Sequence, residues 1–367
     1  VARLNFYTRL DKPPPIEVAT EIFTRINTKG TELTLFEIMV AKTYDQEREF
    51  DLAREYDRLV DSNDNGKDLE DAGYDTIPSS AVLQCVAAHL AKQVRRRDIL
   101  KMNKGNFIDA WPVVKDSIFT AVDYFRTQFR IPVSELLPYP VLLVPFTYFF
   151  INNFDQKPTP RQNKLLAQYF WWASLSNRFS GSIDSKLAQD LERMDQIHVE
   201  RQPSYQGEEF RLTMEDLRWH WFSTGDAFCK AILCLYSYQQ PRSFDSDAPV
   251  RIDNSWLKVA NSKNYHHFFP RSFLRKQGFD DKRANSVLNV TIVDDYLNKR
   301  TIGAKAPSDY MDEFFKKNRN LAATMQTHLI GDLDDYGIST DDYELFIEQR
   351  GQRVLRELNE RLNPELD

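Results

Sequence analysis

The stretch "NYHHFFPRSFL", residues 264 to 274, sets His266 beside His267 and follows them with two phenylalanines, Pro270 and Arg271. Imidazole, with an ordinary pKa of about 6.5, is the side chain that exchanges a proton most readily near neutral pH. It serves equally as a general base, a metal ligand or a packed core group. Successive residues of a strand face opposite ways, so the two rings reach one site only where a strand bends or ends. Pro270, which cannot continue a ladder, predicts such an end.

Two amides extend the pattern. Asn289 lies in "SVLNVTIVD", where Val287, Asn289, Thr291 and Val293 alternate with Leu288, Val290 and Ile292 as a second strand would. A polar side chain in so apolar a segment needs a partner, because a buried unsatisfied amide costs about 1–3 kcal/mol. Asn298 follows in "DDYLNKRTIGAKAPSDYM", which begins as a helix, with Lys299 and Arg300 directly after it. His267, Asn289 and Asn298 are thus separated by 22 and 9 residues. The predicted order is strand, a helix-capable excursion over "RSFLRKQGFDDKRA", strand, helix. Between Lys263 and Lys305 nine Lys and Arg stand against four Asp, a local excess of five positive charges in a chain of net charge −6. Overall acidity argues against a protein that coats nucleic acid, whereas the local excess surrounds the histidine pair.

This series resembles the His, Asn, Asn/His series of the HNH endonucleases, whose ββα-metal finger holds one divalent ion. The stretch from Tyr265 to Met311 is similar to the HNH domain of GmrSD-type, modification-dependent restriction enzymes. "EIFTRINTKGTELTLFEI" near the N-terminus resembles the end of their ParB-like NTPase domain. The DGQQR-type motif of that domain does not occur here, so nucleotide binding is expected only together with residues preceding Val1. The chain opens on Val rather than Met, which fits a piece of a longer protein.

Phosphodiester hydrolysis needs a base for water, a cation against the charge developing on the phosphorane, and groups that hold the phosphate in line. His267 is the candidate base. The resemblance implies His266 and Asn298 as metal ligands, with Mg²⁺ the expected ion and Mn²⁺ or a later transition metal the alternative, given the nitrogen donor. It also implies that Asn289 ties down the His-bearing turn and orients the imidazole. Arg271, Lys299 and Arg300 would contact substrate phosphate.

The elements that must position these residues are read from the rest of the chain. At 367 residues, 42% hydrophobic and 28% charged, it is an ordinary globular composition for a multi-domain protein. The fold class expected is mainly α, with an embedded HNH ββα-metal finger and a partial α/β ParB-like segment. The expected divisions are 1–60 for the end of the ParB-like domain, 61–78 a linker, 79–245 a helical domain, 246–310 the HNH domain and 311–367 C-terminal helices. "VARLNFYTRLD" alternates like a strand that "KPPP" ends, and "IEVATEIFTRI" has helical spacing. Thr34 and Glu37 stand at capping-box spacing for the next helix. Residues 46 to 78 read as loop, and "TMEDLRWHWFSTGDAFCKAILCLYSY" as one of several amphipathic helices, with Ser182 and Thr213 as N-caps. "YFWWASL" fits a core stripe better than a base-stacking platform, and "VRRRDILKMNK" fits a solvated helix end.

The apolar run Tyr139–Ile151 is too short to span a bilayer and reads as a buried helix. Cys85, Cys229 and Cys234 make no CxxC and no Cys/His pair with zinc spacing, so they read as buried free thiols of a cytoplasmic protein. His89, His198, His220 and His328 read as structural. The resemblance places the protein in bacterial defence against foreign or modified DNA. The partners expected are DNA, no membrane and, as an open option, a second copy of the chain. The rival reading is a non-catalytic DNA-binding or NTP-regulated module that retains the HNH fold.

Overall fold

The computed structural model describes residues 33–61, 68–153, 156–254, 265–293 and 302–365. The strand, helix and turn expected over residues 1–32 lie outside the described residues, as do Asn298, Lys299, Arg300 and the helix expected to carry them.

The described part is mainly helical. Helix α1 (Leu35–Thr43) starts where the capping box predicts: Glu37 N–H donates to Thr34 Oγ1 at 3.2 Å, and Thr34 N–H to Glu37 Oε2 at 2.7 Å. The expected loop over residues 46–78 instead contains α2 (Leu52–Val60), capped by Asp51. Leu52, Tyr56 and Leu59 recur at helical spacing within its charged sequence, and Leu52 and Leu59 are fully buried. Residues 68–78 are packed as well: Leu69, Tyr74 and Ile77 are buried, and the Tyr74 hydroxyl donates to Ile131 O at 2.9 Å. Gly73, at φ +76°, lets this turn approach the 132–133 backbone, where a Cβ would meet Pro132 O at 2.9 Å.

The body of the molecule follows: α3 (Ser79–Ala91), the short α4 (Arg96–Ile99), the 25-residue α5 (Lys104–Gln128), α6 (Leu143–Asn152), α7 (Pro160–Leu175) and α8 (Ile183–His198). Helix α6 is the buried apolar helix expected, with every residue from Leu143 to Ile151 in the interior. It packs against α3, α5 and α8. Phe129 and Phe170 stack at 4.4 Å between centroids, and Phe125 meets Phe146 at 4.8 Å, so the "YFWWASL" aromatics are core. Arg96 and Arg97 are exposed, as a solvated helix end requires. Ser182 precedes α8 but makes no capping bond, because its backbone is left-handed at φ 54°.

The single helix expected from Thr213 to Tyr238 is two: α9 (Met214–Arg218) and α10 (Ala227–Tyr238). Ser223, Thr224 and Gly225 interrupt it, and Asp226 recaps the chain by accepting from Cys229 N–H at 2.7 Å. Thr213 does open α9, donating from its N–H to Asp216 Oδ2 at 2.8 Å.

Strand β1 (Tyr265–His267) pairs antiparallel with β2 (Val290–Ile292), with His267 opposite Val290. Between them lie α11 (Arg271–Lys276) and α12 (Asp281–Ala284). The second strand is shorter than expected: Val287–Asn289 form a 3₁₀ turn before it, and residues 287–293 are buried throughout. Helices α13 (Pro307–Lys317), α14 (Leu321–Gln326) and α15 (Tyr343–Leu362) complete the chain. The stretch 309–330, expected as one helix, breaks at Asn318, whose side chain donates to Phe244 O and Thr324 Oγ1, both at 3.0 Å.

Helix α15 packs on α7, on α9 and on the 287–289 turn, joining the helical body to the two strands. Gly351 permits that approach, since a Cβ there would meet Met214 Cε at 2.2 Å and Leu288 Cδ1 at 2.9 Å. Among the described residues, no helix is long and apolar enough to cross a membrane.

Candidate functional site around His267

His267 is the last residue of β1, so the strand ends three residues before Pro270, the residue expected to end it, which instead N-caps α11. The ring of His267 stands with Nε2 2.9 Å from Asn285 Oδ1. The Asn285 amide is itself oriented, because its Nδ2 donates to Phe222 O at 2.9 Å. With Oδ1 thereby facing the imidazole, and able only to accept, the proton on His267 belongs on Nε2, which leaves the lone pair on Nδ1. Burial, and after it the positive charge of Arg271, pushes the pKa of His267 down to about 4, against the opposing effect of the Asn285 hydrogen bond. The imidazole is neutral at physiological pH.

Asn289 bonds backbone on both sides of the excursion between the strands. Its Oδ1 accepts from Phe269 N–H at 2.8 Å, and its Nδ2 donates to Phe269 O at 2.9 Å and to Ala284 O at 3.0 Å. It thus fastens the turn after His267 to the end of α12. The ring of His267, however, is oriented by Asn285 and not by Asn289. Asn285 carries no mark in the sequence that separates it from any other Asn ending a helix; only the return of the chain beside β1 does. Asn289→Ala removes all three side-chain bonds at a fully buried position and is expected to lower unfolding stability by roughly 2–4 kcal/mol, measured by urea denaturation. An unchanged denaturation midpoint would show that the turn does not depend on this amide.

His266 is 2% exposed and engages a different element, its ring lying edge-on to that of Tyr310 at 6.2 Å between centroids. Its main-chain carbonyl accepts from Thr291 Oγ1 at 3.3 Å. Among the described residues, no group of three His, Cys, Asp or Glu ligand atoms converges around it. The described residues therefore offer an ion one enclosed imidazole here, and the rest of the expected ligand set rests on Asn298, outside them.

Arg271 opens α11 near His267, with Nη2 3.5 Å from Asp281, and Arg275 Nε stands 2.8 Å from the same carboxylate. Arg283 pairs with Glu344, and Lys305 Nζ lies 2.7 Å from Glu313. These pairs are 35–55% exposed, not buried in the interior. Exposed pairs contribute little and exchange readily for another anion such as phosphate. Lys276 and Lys282 are exposed.

No family model matches the chain. It is similar to an uncharacterized protein of Methanocaldococcus jannaschii, with 24% identity over 320 residues, which is 84% of this chain and 52% of the relative. The chain therefore spans about half the length of the curated relative it matches.

All three cysteines are buried free thiols, as expected. One of them has company that the sequence spacing hides. The loop between α9 and α10 folds back so that His220 reaches the N-terminus of α10, and His220, Asp226 and Cys229 bring one ligand atom each within 4.8 Å of one another. His220 therefore has two potential ligand side chains beside it. His328 is packed in the interior: its Nε2 lies 2.7 Å from Arg242 O, and burial pushes its pKa down to about 3.

Proposed function

We propose that this chain is an HNH-type, metal-dependent endonuclease that nicks or cleaves DNA, working in bacterial defence against foreign or modified DNA. The observation that carries this reading is the His267–Asn285–Phe222 relay, which sets the lone pair of an imidazole that burial keeps neutral on Nδ1 at the end of a strand. Such a nitrogen takes a proton from an attacking water, while Nε2–H stays anchored on Asn285. Asn289 acts as a positioning residue through the backbone of Phe269. Arg271 would exchange its long contact with Asp281 for a substrate phosphate, joined by Lys299 and Arg300. A divalent ion, Mg²⁺ in the first instance or Mn²⁺, would neutralise charge developing on the phosphate, with His266 and Asn298 as its protein ligands. Recognition of modification, any nucleotide dependence and self-association belong to the longer protein in this reading.

One observation favours the rival, a non-catalytic module that grips DNA. A base held near pKa 4 has little driving force for proton uptake, and burial would have to relax when substrate enters. A supercoiled plasmid separates the two. Incubated with the chain and Mg²⁺ or Mn²⁺, it is expected to convert to the nicked form and to stay supercoiled with chelator. A mobility shift without nicking, under every ion tested, would establish the binding module and sink the nuclease.

A further inference from the structure

We propose that His220, Asp226 and Cys229 form a binding site for one zinc-type transition-metal ion, separate from any ion at His266. The three side chains are the donor types that such ions take, nitrogen, oxygen and sulfur, and a thiolate in the set selects against Mg²⁺. Their ligand atoms lie within 4.8 Å of one another. His220 Nε2 and Asp226 Oδ1 stand 3.3 Å apart, long for a charge-assisted hydrogen bond. In a tetrahedral zinc site, N and O ligands about 2.0–2.1 Å from the ion are separated by about 3.3–3.4 Å, so this pair already has the spacing of two ligands on one ion.

Each donor is held before any ion arrives. The His220 ring packs against Phe228 at 4.4 Å between centroids, tilted by 30°. Asp226 is fixed as the N-cap of α10 by Cys229 N–H at 2.7 Å. Cys229 Sγ accepts the Ser223 N–H at 3.5 Å and donates its S–H to Trp221 O at 3.4 Å; burial pushes the thiol's pKa up, so it is the ion that draws off its proton. The ligand atoms, within 4.8 Å of one another, must draw closer to share one tetrahedral ion. Cys229 is buried while the His220 and Asp226 side chains are 31% and 39% exposed, which leaves an entry and a fourth position for water. Binding releases the Cys229 thiol proton to solvent and requires His220 to carry its remaining proton on Nδ1. Carboxylate and thiolate together then balance the ion's two positive charges.

The site has a mechanical consequence that rests on the nuclease reading above. The loop it would clamp accepts Val287 N–H at His220 O and receives the Asn285 carbonyl at Phe222 N–H, both at 2.9 Å. Asn285, in turn, orients His267. An ion at this cluster would stiffen the backbone on which the proposed base depends.

Cobalt(II) titrated into the full chain tests the site without reference to nicking. The expected result is one Co²⁺ per chain with a thiolate-to-cobalt charge-transfer band and the intense visible bands of tetrahedral coordination, both displaced by Zn²⁺. Cys229→Ser is expected to abolish the charge-transfer band, His220→Ala to weaken binding at least tenfold, and Cys234→Ser to leave it unchanged. Circular dichroism checks that each variant is folded; His220→Gln replaces His220→Ala, and alanine replaces serine at either cysteine, where the first choice is not. Absence of a thiolate band in the wild type, or a band that survives Cys229→Ser, overturns the proposal whatever the plasmid assay shows.

Discussion

His267→Ala is expected to lower metal-dependent plasmid nicking by about 10²–10⁴-fold, the usual contribution of a positioned general base. The same variant should bind DNA and unfold much as wild type does. The physical reason is local. His267 is partly exposed, and its ring is hydrogen-bonded among the described residues to Asn285 alone, so truncation opens a space that water can enter and leaves Asn285 Oδ1 reachable by it. The β1–β2 pairing uses main-chain groups and survives. Asn285→Ala should lower nicking less, because the imidazole remains but loses the bond that selects its tautomer. A His267→Ala protein that nicks at the wild-type rate would remove His267 from the reaction.

Arg350→Met is expected to destabilise the protein by about 3–5 kcal/mol, read as a lower urea midpoint, and to reduce nicking with it. Arg350 is 0% exposed, and its guanidinium donates to Leu288 O at 2.6 Å, to Val290 O at 2.8 Å and twice to His328 O at 3.2 and 3.0 Å. Its charge lies over the Tyr236 ring at 4.5 Å and, among the described residues, against no carboxylate. Burial lowers its pKa from the ordinary arginine value, yet a guanidinium starts so high that the cation persists. Methionine fills much of the volume but leaves three carbonyls without their donor, two of them flanking Asn289. Arg350→Lys should recover only part of the loss, since a point ammonium cannot reproduce the fork. A denaturation curve superimposable on wild type would show that the carbonyls find other partners.

Helix positions were largely legible because their causes are local. The Thr34–Glu37 capping box, the apolar stripes of α3, α5, α7 and α15, and the proline after His267 each act within a few residues of themselves. Misreadings came where a local signal was weak or overridden. Helix α2 hides three apolar residues in a charged stretch, and the 213–238 and 309–330 helices break at Asp226 and Asn318, whose side chains bond backbone that the periodicity ignores.

The sequence by itself determined the kinds of groups available: paired histidines, an apolar strand with one buried amide, a basic neighbourhood, and the helices that carry them. It also required that the Asn289 amide find a partner, whereas the turn after His267 as that partner came only from the family resemblance. Only the tertiary structure decided which groups meet. Asn285, not Asn289, holds the imidazole; Arg350 reaches β2 from a helix about sixty residues away; His220 and Cys229, nine residues apart, come together because the helix between them does not form. Capping and periodicity are set by hydrogen bonds within one or two turns, whereas these meetings depend on where chain closure brings distant backbone, and no local spacing encodes that.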